Sequence, residues 1–450
     1  MDTLARLREI VRGSGAARRP AAVPVRELTY EPVGADGLPP ERATVSEPLE
    51  EARHLATPYG EALVVDRTFE AGAPHGRARV EDGDLLDREA LAILTGHAVP
   101  EVGVKPSPVF FDLETTGLSG GAGTVAFLVG CGWYEGGAFR TRQFFLPGFA
   151  AERALLHAVG EFLDGVPLLV TYNGRTFDLP IMETRWALHR MPAAADGVPH
   201  VDMLPPARRL WREALDGEAR SCRLVALEAS LLGFLRTGDV PGWEIPQRYF
   251  DYVRRGDTRA LGPVLHHNRL DLLSLAVLAA RAQRLVREGP AVARDARECC
   301  ALGQLLRRAG RTAEAETAYR AATDHPAGDA AARQQAWRAL ALLLRRERRH
   351  REAASAWRRV LASGPGGAAR EAVEALAIHH EHRERDLDLA RALAVRALES
   401  EPDPRRQAAV RHRLARLERK LGGVGTHPSA GGVLLDRAVA VAGIDDDREP

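Results

Sequence analysis

From residue 108 onward, apolar positions come in short runs separated by turn residues. VFFDLETTGL, TVAFLVGCGWY and FRTRQFFL stand at hairpin-like separations and predict three neighbouring strands. Residues 151–164 then place Leu155, Leu156, Val159, Phe162 and Leu163 on one helical face, after which PLLVTYN reads as a fully buried strand. That alternation is the pattern of an α/β sandwich. Residues 220–235 (RSCRLVALEASLLGFL) and 260–285 (ALGPVLHHNRLDLLSLAVLAARAQRL) carry apolar residues at helical spacing on either side of a Pro/Gly-rich loop around PGWEIP. They predict two helices that close the domain.

After residue 295 the pattern is wholly helical and repeats. LLRRAGRTAEAETAYRAATDHP recurs as LLRRERRHREAASAWRRVLASGP and again near DLARALAVRALESEPDP, at offsets of 38 and 37 residues. Ala315, Ala353 and Ala390 fall where helices would pack closely, and Tyr319 and Trp357 share a later position. This resembles tetratricopeptide repeats, with a period longer than the usual 34 or so of that family. Upstream, residues 1–20 predict a short basic amphipathic helix with Leu4, Leu7, Ile10 and Val11 on one stripe, followed by linker. Residues 50–104 show only short apolar runs, Ala62–Val65 and Leu91–Leu94 among them. The expected organisation is therefore an N-terminal region and linker without defined elements over 1–104, an α/β domain over 105–285, helical repeats over 295–421, and a tail over 422–450 that frays.

Composition changes this picture little. At 450 residues two or three domains are expected, and 45% hydrophobic with 27% charged residues is ordinary globular usage. A net charge of +1 gives no global attraction to polyanions, so nucleic-acid contact must come from a local patch. Only Lys105 and Lys420 are lysine among 62 basic residues, which points to genome bias as much as to phosphate contacts. Cys131, Cys222, Cys299 and Cys300 lack metal-ligand spacing and read as structural, reduced cysteines. The N-terminus lacks an apolar signal-like run, and no stretch reaches about 18 uncharged apolar residues, so a cytoplasmic protein without membrane contact is expected.

Four carboxylates stand at the ends of apolar elements or within them. Residues two apart on a strand face the same side, so Asp112 and Glu114 reach one point in space, where a divalent cation with hard oxygen preference relieves their repulsion. Asp178 follows the buried strand in YNGRTFDLP, and Asp271 interrupts the apolar face of HHNRLDLLSLA. Each alone has a structural reading: Asp112 as a turn cap, Asp178 as an N-cap before LPIMETRW, Asp271 as a surface residue.

FFDLETTGLSGGAGTVAFLVG, VTYNGRTFDLP, HVDMLPPARRLW, SCRLVALE and HHNRLDLLSLA, in that order and spacing, resemble the YprB-type branch of ribonuclease H-like DEDD exonucleases over residues 105–285. The resemblance implies a ribonuclease H-like mixed sheet with flanking helices, here followed by an all-α helical-repeat, tetratricopeptide-like domain. It further implies that Asp112, Glu114, Asp178 and Asp271 bind two Mg²⁺ or Mn²⁺ ions for phosphodiester hydrolysis. The subgroups of the family place a His five residues before the last Asp, or a Tyr four before it. This chain has His266 at the first spacing, with Asn268 where that subgroup has Ala, and His267 at the second. A four-residue helical offset puts His267 on the face of Asp271, which favours it as the water-orienting or general-base residue, with His266 as the alternative. Tyr172 and Asn173 match a YN pair that contacts the terminal nucleotide, although core packing accounts equally for Tyr172. Asp202 in HVDML is expected only to support the site. GLSGGAGT has no following Gly-Lys-Ser/Thr, so it is not an ATP loop and reads as a tight turn, with contact to a nucleic-acid backbone as the alternative.

The expected function is that of a metal-dependent nuclease, a 3′–5′ exonuclease on single-stranded RNA or DNA, with the repeats holding substrate or a protein partner. The alternatives are a non-catalytic scaffold that binds nucleic acid or protein, and a structure-specific endonuclease on the same fold.

Overall fold

The computed structural model describes residues 52–422, apart from 102–104, 106, 118–122, 214 and 216. The predicted N-terminal helix, the tail after Gly422 and the centre of the glycine-rich turn lie outside the described residues.

Seven strands form one mixed sheet: β1 (Arg53–Thr57), β2 (Gly60–Phe69), β3 (Val109–Thr115), β4 (Ala126–Glu135), β5 (Ala138–Phe145), β6 (Leu169–Thr171) and β7 (His200–Asp202). Their spatial order is β1-β2-β5-β4-β3-β6-β7. The three predicted strands are adjacent and antiparallel, whereas β6 and β7 join parallel to β3. Parallel neighbours require crossovers, and helices α2 (Glu152–Leu163) and α3 (Asp178–Leu188) supply them.

Residues read as linker instead extend this sheet. The short run Ala62–Val65 lies in β2, whose pairing with β5 sets Leu63 opposite Phe145 and Phe69 opposite Phe139. The run Leu91–Leu94 lies in α1 (Arg88–Thr95), whose first turn is capped by Asp87 accepting from the Ala90 amide at 2.9 Å. Both elements owe their stability to partners distant in sequence, which a local window cannot reveal.

Residues 220–235 give a single helical turn, Leu224–Leu227, running into a π-turn, Glu228–Leu232. After α4 (Leu204–Trp211) and α5 (Ile245–Arg255) comes the long helix α6 (Gly262–Glu288), buried over most of its circumference. One side lies on the sheet, where Gln143 of β5 donates to the Leu265 carbonyl at 2.8 Å. Another meets the helical region through Arg281, which donates to Glu298 at 2.9 and 3.0 Å.

That region comprises three helical hairpins and a closing helix: α7 (Ala296–Arg308) with α8 (Thr312–Asp324), α9 (Ala330–Arg346) with α10 (His350–Ala362), α11 (Gly367–His379) with α12 (Leu387–Ser400), then α13 (Pro404–Gly422). Gly310, Arg348 and Arg385, at the 38- and 37-residue offsets of the sequence repeat, all adopt positive φ in the turn within each hairpin. Ala315, Ala353 and Ala390 are buried. Cys299, Leu302 and Leu306 of α7 belong to the same apolar cluster as Leu91, Trp211 and Leu275, so the core runs on from the α/β layers into the hairpins. All four cysteines are buried and unbridged. Among the described residues no helix is long and apolar enough to cross a membrane.

Candidate metal centre

The site forms where β3, the start of α3 and α6 meet. Alternation along β3 puts Asp112 and Glu114 on one face, half-buried between fully buried neighbours. Asp178 is the first residue of α3 and is 3% exposed. The loop before it is tied down by Asp202 at the end of β7, which accepts from the amides of Asn173 (2.8 Å), Arg175 (3.3 Å) and Leu204 (3.0 Å). Asn173 takes φ 69° there, and a Cβ on Gly174 would lie 2.4 Å from the Thr171 hydroxyl. Glycine is what lets this loop fold back on β6.

From α6, His267 and Asp271 project one turn apart, with His267 Nε2 3.5 Å from Asp271 Oδ2. Ligand atoms of Glu114, His267 and Asp271 all lie within 4.8 Å of one another. Asp112 and Asp178 complete an acidic patch around Asp271. Burial pushes the carboxyl of Asp112 well above the usual range, and the charges of Asp271 and Asp178 push it further. Burial does the same to Glu114, reinforced by Asp112, Asp271, Asp178 and Asp239. Asp178 is pushed up to about 8 by burial and by Asp202 and Asp271. Buried acids so arranged lower their energy by sharing a divalent cation, so hard oxygen donors beside one imidazole fit Mg²⁺ or Mn²⁺.

The two histidines part company here. His267 is in the converging set and His266 is not. Nδ1 of His267 is 2.7 Å from Asp239 Oδ1, and because a carboxylate only accepts, the ring N–H is on Nδ1 and Nε2 faces the acids. Burial opposes a charge on this ring, but the bond to Asp239 and the charges of Asp271 and Asp239 outweigh it and raise its pKa. Tyr172 gives its hydroxyl to the Cys222 carbonyl and packs against the core, while the Asn173 side chain is exposed and accepts from Thr176 at 2.9 Å.

Sequence reasoning missed several side chains that hold these residues. Asn268, noted only as a departure from Ala, is fully buried and donates to Asp112 Oδ2 at 2.8 Å while accepting from Gln143 at 2.8 Å. Gly130 of β4 makes room for it, since a Cβ there would lie 2.2 Å from Asn268 Oδ1. Arg236, in the loop after the π-turn, bonds Glu228, Asp239 and Asp271. An acid inside the apolar run LVALEASLL was the available signal for Glu228; Arg236 and Asp239 gave none in a Gly/Pro-rich loop.

A family model described as RNase_H superfamily matches residues 109–283, a span that holds every residue of this site. The uncharacterized protein YprB of Bacillus subtilis (strain 168) is 30% identical over 315 residues, which cover 69% of this chain and 74% of that protein. The chain belongs to the YprB family, with a ribonuclease H superfamily domain over residues 109–283. For a YprB-family chain this membership suggests a nuclease acting on nucleic acid, in a superfamily that typically employs divalent metals.

Proposed function

We propose that the chain is a metal-dependent 3′–5′ exonuclease on single-stranded RNA or DNA. The observation that carries this reading is the meeting of Glu114, Asp271 and His267 ligand atoms within 4.8 Å, with Asp112 and Asp178 close enough for their charges to help hold the neighbouring carboxyls well above the usual range. Asp112, Glu114, Asp178 and Asp271 would hold two Mg²⁺ or Mn²⁺ ions. When bound, these ions supply activation of water and stabilisation of charge on the leaving oxygen. His267, oriented by Asp239, takes the proton of the attacking water through Nε2. Asn173 stands at the mouth of the loop before Asp178, where it contacts the terminal nucleotide; Tyr172 shapes that loop from beneath.

The hairpin region, which we read as tetratricopeptide-like, holds substrate or a protein partner. Residues 301–420 carry 25 Lys/Arg against 16 Asp/Glu, a net +9, which supports the first role. Binding that weakens steeply with salt, and less steeply after charge-neutralising substitutions in these helices, would bear it out.

The test is degradation of end-labelled single-stranded RNA and DNA with Mn²⁺ by the full chain and by Asp112→Asn. Ladders lost in the variant are expected. Binding without cleavage by the wild type would favour a scaffold, and cutting of circular substrates an endonuclease.

A further inference from the structure

We propose that Arg236 is a positioning residue of the metal centre, holding Asp271 directly and His267 through Asp239. The inference rests on the metal-dependent reading above. Its basis is a hub of ion pairs around a guanidinium that is 2% exposed.

Glu228, itself fully buried, anchors the hub: Arg236 Nε donates to its Oε2 at 2.8 Å and Nη2 to its Oε1. Nη2 also donates to Asp271 Oδ1, and Nη1 to Asp239 Oδ2 at 3.2 Å. The second oxygen of Asp239 is the one that takes His267 Nδ1. Two of the three side chains whose ligand atoms converge, His267 and Asp271, are thus oriented by one rigid, planar fork. With Oδ1 of Asp271 engaged, Oδ2 is the atom left for a cation, 3.5 Å from His267 Nε2. Asp239 lies in a loop, where the Val240 amide donates to its Oδ1 at 2.9 Å and Arg236 holds Oδ2, so the plane of the carboxylate, and with it the imidazole ring bonded to Oδ1, is set in part by Arg236.

Charge separates positioning from simple attraction. Glu228 and Arg236 together are neutral, so removing both leaves the net charge around the acids unchanged. Because Arg236 touches Asp271 directly and its positive charge opposes a cation there, weaker cation binding after the double removal reports geometry rather than charge.

The experiment is a Mn²⁺ titration without substrate, by calorimetry and by loss of the free Mn²⁺ spin-resonance signal. It compares the full chain with the Glu228→Met/Arg236→Met double variant, which removes the guanidinium together with its fully buried partner. The double variant is expected to bind Mn²⁺ roughly 10- to 100-fold more weakly, the usual effect of losing a group that orients a ligand. Wild-type affinity in a folded double variant, judged by circular dichroism, overturns the proposal while leaving the nuclease reading intact. A wild type that takes up no Mn²⁺ overturns both. Should the double variant fail to fold, Arg236→Lys keeps the charge and loses the fork. It is expected to bind roughly tenfold more weakly, and unchanged affinity there overturns the proposal equally.

Discussion

Asn268 donates from Nδ2 to Oδ2 of Asp112 at 2.8 Å, joining α6 to β3 across 156 positions of chain. This bond favours the ionised carboxylate against the burial that opposes it. Asn268→Ala removes the donor and leaves Gln143 with one acceptor fewer in a dry interior. A loss of about 1–3 kcal/mol in urea unfolding is expected. Mn²⁺ affinity should fall with it, since Asp112 becomes both less ionised and less fixed. Unchanged Mn²⁺ affinity in the variant would mean that the amide serves only the core.

The raised carboxyls make stability depend on pH in a definite sense. Asp178 ionises at about 8 in the folded chain, against about 3.9 when unfolded, and Asp112 and Glu114 move in the same direction. The folded state holds these protons more tightly. Their contribution to stability is therefore complete below about pH 4 and is lost as pH rises towards 8 in metal-free protein. A divalent cation favours the ionised forms, so Mn²⁺ should raise the melting temperature more at pH 8 than at pH 5. Melting curves with and without Mn²⁺ at both pH values check this, and an equal shift at the two would contradict it.

Glu298 of α7 is fully buried and accepts from Trp211 Nε1 (2.7 Å), Arg281 Nη2 and the Arg294 amide (2.6 Å). It thereby ties the first hairpin to α4 and α6. Glu298→Ala leaves the partly exposed Arg281 without its counter-charge and the buried Trp211 Nε1 without its acceptor, and should cost about 1–3 kcal/mol in chemical denaturation. Because the apolar core is continuous across this joint, the loss should appear in one shared transition. Separate unfolding of the hairpins, with the α/β transition unmoved, is the result that would refute a shared core.

Local patterns carried much of this molecule. Period-two alternation in VFFDLET placed Asp112 and Glu114 on one face of β3, and the four-residue offset in HHNRLD placed His267 with Asp271 on α6. Both depend only on near neighbours along the chain, as do the predicted adjacent strands and the helical repeats. What the tertiary structure alone decided is which distant groups complete these elements. β2 is a strand because β5 pairs with it. Asp112 is oriented by an amide 156 residues away, in space left by a glycine on a third element, β4. His267 was separated from His266 by Asp239, and Asp271 was given a partner in Arg236, both from an irregular loop. Hydrogen bonds and ion pairs act over a few ångströms of space whatever their separation in sequence, so they leave no periodic trace for a sequence to show.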